Sequence, residues 1–127
     1  MTIRWGRVIV GALLLELVLF AVLVPIGRVN GTLFLFGVPI GAFVFGYLVA
    51  AWVLRTIASA RWANAALLGV LATAVYLAIV LATPGGMGVA IATYGLPLFV
   101  FSNTMRIAGC LAAAFDLRRR AGVSTLA

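Results

Sequence analysis

Residues 5–26 read WGRVIVGALLLELVLFAVLVPI. A bilayer's hydrocarbon core of about 30 Å takes about 20 apolar residues in an α-helix, so this run is long enough to cross it once. A surface helix of a soluble protein would alternate apolar and polar faces. Here only Arg7, near the start, and Glu16, in the middle, carry charge. The run therefore reads as a membrane span. Its basic start resembles a signal peptide, but the apolar stretch is too long, contains Glu16, and meets no small-x-small cleavage site before Pro25. We read it as uncleaved. Three similar runs follow, at 32–54, 62–82 and 87–115. The breaks carry turn chemistry: Pro25, Gly27, Asn30 and Gly31, then Arg55 through Arg61, then Thr83-Pro84-Gly85-Gly86.

Composition supports the same class. Of 127 residues, 66% are hydrophobic and 9% charged, where soluble domains carry about 25% charged residues. A soluble chain this short has too much surface for its volume to hide so many apolar side chains. The expectation is a single all-α domain over 1–127: an integral membrane four-helix bundle, up-down-up-down. The short connections predict that consecutive helices lie side by side and antiparallel. Pro39 and Pro97 are expected to kink or break their helices. The fourth run is the longest and the most polar, with Tyr94, Gly95, Pro97, Ser102, Asn103 and Thr104. It is expected to begin with a loop or a tilted turn.

Nine Arg and no Lys face two acidic residues, for a net charge of +7. Such a balance often signals nucleic acid, but these arginines flank apolar runs, so no nucleic-acid partner is expected. With both termini inside, the inner side collects Arg4, Arg7, Arg55, Arg61, Arg118, Arg119 and Arg120, and the outer side Arg28 alone. The positive-inside rule then gives cytoplasmic termini, and Trp5, Trp52 and Trp62 fall at the same inner boundary. Arg118, Arg119 and Arg120 serve as a topology anchor or as contacts for anionic lipid headgroups. The Arg-only basic set, among abundant Ala, Gly, Val and Leu, suggests a GC-rich bacterial genome and an inner-membrane location. The sequon-like Asn30-Gly31-Thr32 is discounted on that ground.

Helices in lipid approach one another through small residues. Gly37, Gly41 and Gly46 in the second run, Gly69 in the third and Gly109 in the fourth are the candidates. They fit a compact bundle, a homo-oligomer or a membrane-complex partner equally well.

Glu16 and Arg106 are the ionisable side chains inside apolar sequence, where each needs a partner, a water-filled cavity or a role. Glu16 lies eleven residues past Trp5 and Arg106 nine before Phe115. At 1.5 Å per residue both fall roughly 14–16 Å from the inner boundary. Matched depth on the first and last spans predicts a buried Glu16–Arg106 ion pair, with Ser102 and Asn103 one turn away to complete the hydrogen bonds of Arg106. A structural clasp and a proton- or ligand-linked carboxylate are two readings of these charges; in a third, each faces a separate partner protein or snorkels. Asp116 is expected to pair with Arg119 and Arg120 at the boundary. The single cysteine, Cys110, cannot form an intrachain disulfide and is expected to pack as a small hydrophobe. There is no His, hence neither the usual haem ligand nor the commonest zinc ligand. No cofactor, metal or enzymatic activity is expected.

The stretch Gly11-Ala-Leu-Leu-Leu-Glu16 resembles the first span of small multidrug resistance transporters. That resemblance implies an antiparallel dimer in which Glu16 would exchange protons for cationic drugs. The third run lacks that family's aromatic and glycine pattern, and the Arg bias opposes its dual topology. Trp5-Gly-Arg-Val-Ile-Val-Gly11 and the Gly-rich segment from Gly37 to Arg55 are also similar to small bacterial four-span proteins without an assigned activity.

Overall fold

The computed structural model describes residues 3–55, 57 and 60–126, with side chains throughout except at 90, 93, 94 and 121–126. Thr56, Ala58 and Ser59 of the second connection and the side chain of Tyr94 lie outside the described residues. The described residues form five helices: α1 Trp5–Val29, α2 Gly31–Leu54, α3 Arg61–Ala82, α4 Gly86–Tyr94 and α5 Leu96–Leu126. Four segments are long and apolar enough to cross a membrane: α1, α2, α3 and the Leu96–Arg120 part of α5. This is the all-α, four-span bundle expected from the sequence.

The helix ends differ in detail from the sequence reading. Pro25 and Gly27 do not end α1, which continues to Val29. The whole first connection is Asn30, whose N–H donates to Ile26 O at 2.8 Å. Its Oδ1 accepts from Leu33 N at 3.1 Å, so one side chain closes α1 and caps α2. α2 runs unbroken through Pro39. The fourth run does break, two residues before Pro97. Gly95 has φ +77, a left-handed backbone that a side chain would strain. Its N–H donates to Ile91 O at 2.8 Å and its carbonyl accepts from Phe99 N at 3.0 Å, ending α4 and opening α5. Pro97 then sits in the first turn of α5, where a missing N–H costs nothing.

Side-chain neighbours fix the packing. Gly11 faces Val49 and Val53, while Gly41 faces Leu19, so α1 and α2 are antiparallel. Trp62 packs on Phe115 and Tyr76 on Phe99, so α3 and α5 are antiparallel too. α2 and α5 run parallel, with Gly46 against Arg106 and Cys110. Around the bundle the order is α1, α2, α5, α3. One expectation is thereby corrected. α2 and α3 follow each other in sequence but stand on a diagonal, and α1 and α5 take the other diagonal. The glycines explain why: α5 is drawn between α2 and α3, because Gly46 and Gly109 admit it to α2 and Gly69 admits it to α3.

The core is uneven along its length. At the end that carries the start of α1 and the close of α5, here called the basal end, Val8, Val53, Leu54, Asn64, Ala65, Leu68, Cys110, Ala113 and Ala114 are fully buried. The buried residues of α3 are Asn64, Ala65, Leu68, Gly69 and Ala72, none of them more than one residue past its midpoint. Beyond Ala72, α3 has no fully buried residue among those described.

Candidate functional site

Glu16 comes from the middle of α1 and Arg106 from the middle of α5, on opposite corners of the bundle. Only a long side chain can cross that diagonal. Arg106 does so, and both residues are almost completely buried, at 2% and 3% exposure. Arg106 Nε donates to Glu16 Oε1 at 2.6 Å, and Nη2 donates to Oε2 at 3.4 Å. This two-pronged geometry is the strong form of a charge-assisted pair. Gly46 makes the crossing feasible. A Cβ there would stand 3.1 Å from the backbone oxygen of Arg106, so a larger residue would push α5 away.

The rest of the guanidinium is held from α5 itself. Nη1 donates to Asn103 Oδ1 at 3.1 Å and, at 3.5 Å, to the backbone oxygen of Ser102. Asn103 Nδ2 in turn donates to Phe99 O at 2.9 Å, which fixes the amide's orientation. Ser102 does not serve as the sequence suggested. Its hydroxyl donates to Leu98 O at 2.8 Å, the usual back-bond of a Ser inside a helix, and only its carbonyl reaches Arg106.

Tyr76, which sequence reasoning passed over, covers the guanidinium. The Arg106 carbon centre lies 4.4 Å from the Tyr76 ring centroid, a cation–π contact within a desolvated site. Its signal in the sequence was weak: a single Tyr among aliphatic residues of the third span. Two other polar residues escaped in the same way. Asn64 is fully buried. It accepts from the backbone N–H of Arg4 at 2.9 Å and donates to Ala60 O at 2.8 Å. It thereby satisfies a donor at the start of α1, which has no side-chain cap of its own. The Tyr47 hydroxyl donates to Asp116 Oδ2 and links α2 to α5. Asp116 also meets Arg120 at 3.1 Å.

The packing glycines are distributed around this centre. Gly69 would place a Cβ 2.7 Å from Ile107 Cα, and a Cβ at Gly109 would overlap the Phe43 carbonyl. A Cβ at Gly37 or Gly41 would meet Leu23 or Leu19 at 3.4 and 3.6 Å, ordinary contact distances. Cys110 is buried, with its Sγ 3.7 Å from Gly46 O. Arg118, Arg119 and Arg120 are exposed at the basal end.

Above the pair, toward the distal end, lies a cavity of about 130 Å³. Leu19, Phe20, Leu23 and Val24 of α1, Phe34 and Val38 of α2, and Tyr76 wall it, with Glu16 and Arg106 at its floor. Leu15, Gly11 and Leu68 close the bundle below. The arrangement is a neutral, internally bonded charge pair exposed to a mostly apolar chamber on one side. Comparisons with protein-family models, with curated proteins and with solved structures return no match.

Proposed function

We propose that this chain is a non-catalytic multi-pass membrane protein, a bundle or assembly subunit in which Glu16 and Arg106 clasp α1 to the rest of the molecule. The observation that carries the reading is the mutual neutralisation of the two buried charges. Four of the five N–H groups of Arg106 are engaged within the chain, and Glu16 binds Arg106 through both oxygens. A carboxylate held through both oxygens by one guanidinium acts as a fastening between helices. A homo-oligomer or a membrane-complex partner completes the assembly. The Arg distribution, seven against one, supports termini on the cytoplasmic face of a bacterial inner membrane. Exposed Arg118, Arg119 and Arg120 there suit anionic headgroups.

The second reading is a small proton-coupled transporter or channel using Glu16. The cavity that ends on the pair favours it. Proton flux into liposomes holding the intact chain separates the two. The clasp reading expects background flux for the parent and for Glu16→Gln alike. Flux in the parent that Glu16→Gln abolishes, in protein still folded by circular dichroism, overturns it.

A further inference from the structure

The cavity above the ion pair has a chemistry of its own. We propose that it is a binding site for a neutral hydroxylated hydrocarbon, an alkanol-like molecule whose O–H sits on Glu16 and Arg106 and whose chain fills the apolar chamber. The inference rests on the clasp reading, because it takes the pair as intact and neutral.

Three features select this class. Beside the Tyr76 ring the walls are Leu19, Phe20, Leu23, Val24, Phe34 and Val38, so the body of the ligand is mostly hydrocarbon. The floor is polar but carries no net charge, so a charged ligand would bring an uncompensated charge into a low-dielectric site. A neutral ligand escapes that cost. The third feature is the hydrogen-bonding left over. A carboxylate offers about four acceptor positions and a guanidinium five donors. Glu16 uses two acceptor positions and Arg106 four donors, leaving acceptors and one N–H. A hydroxyl is the smallest group that both donates and accepts. An ammonium only donates, a carboxylate only accepts, and each adds charge.

Size and access agree. The cavity's 130 Å³ is close to that of an engineered apolar cavity in another protein that takes up benzene, so it holds a segment of roughly six carbons. Phe20 and Val24 on its rim are 37% and 41% exposed. Beside them α3 buries nothing fully beyond Ala72. A longer chain can therefore leave past Phe20 and Val24 into lipid.

The test is photolabelling of the full chain in phosphatidylcholine vesicles with a diazirine-bearing octanol, mapped by mass spectrometry. The competitors are 1-octanol, octane and octylammonium at matched membrane concentration. The expected result is labelling at Phe20, Phe34 or Tyr76, with 1-octanol competing at least tenfold better than either analogue. Val38→Trp, which fills the chamber, is expected to abolish the label, and Leu23→Phe serves if that variant does not fold. Labelling away from the cavity, or octane competing as well as 1-octanol, overturns the proposal and leaves the clasp untouched. Octylammonium competing best overturns it too; flux lost in Glu16→Gln would then show that the clasp reading fails with it.

Discussion

At the scale of single residues, the ion pair makes a prediction about pairs of substitutions. Removing one partner leaves a buried charge with nothing to balance it, which typically costs about 3–5 kcal/mol. Removing both leaves two amides that can bond each other and lowers that cost. Arg106→Gln is therefore expected to lower the midpoint of unfolding in SDS strongly, and Glu16→Gln plus Arg106→Gln to regain most of it. A double mutant as weak as the sum of its singles would show that the two residues do not act together. Much of this site was legible in the sequence, because a charge in an apolar run stands out and helical rise gives its depth. What was not legible is what each neighbour does. Ser102 and Asn103 look alike as small polar residues one turn from Arg106. Rotamer and back-bonding decide that Asn103 offers its side chain and Ser102 only its carbonyl. Tyr76 and Asn64 gave no comparable signal, since their roles exist only once another helix arrives.

At the scale of helices, packing turns on where backbones touch. Lipid supplies no hydrophobic drive between spans, so close van der Waals contact has to serve. A Cβ at Gly109 would strike the Phe43 backbone, whereas one at Gly6 would meet nothing within 4 Å. Gly109→Ala is expected to destabilise by about 1–3 kcal/mol through overpacking. Gly6→Ala is expected to be neutral or slightly stabilising, because Ala is the better helix former by about 1 kcal/mol. Equal thermal shifts for the two in detergent would contradict the packing described. The sequence supplied the number of spans and their approximate ends, because hydropathy and length suffice for that. It misplaced the helix boundary at Pro25, where α1 continues to Val29 and Asn30 alone makes the turn.

At the scale of the molecule, the arrangement of helices was the least legible part. Short connections suggested that neighbours in sequence are neighbours in space, and this holds for α1 with α2 but not for α2 with α3. Gly46 stands 64 positions from Cys110 in the chain and carries no mark of which helix it will meet; only the three-dimensional fit selects α5 as the centre of the glycine contacts. Orientation is a separate matter, set by Arg placement, and it has a direct check. In a Cys110→Ala background, Arg28→Cys is expected to react with an impermeant thiol reagent on intact cells. Arg119→Cys is expected to react only after the membrane is opened. The reverse pattern would invert the proposed topology.

The diagonal pairing also bears on biogenesis. Glu16 and Arg106 are separated by 90 positions in the chain. At ribosomal speeds of 5–20 residues per second, roughly 5 to 20 s pass between synthesis of the carboxylate and of its guanidinium. Throughout that interval the first span holds an acid with no countercharge, and α2 and α3 bring none, since neither carries an ionisable basic group at that depth. A nascent chain stalled before residue 106 is thus marked by an unmatched carboxyl, and the arrival of the last span is what makes the first one acceptable to the membrane. Arrival of α5 and neutralisation of the interior are the same event.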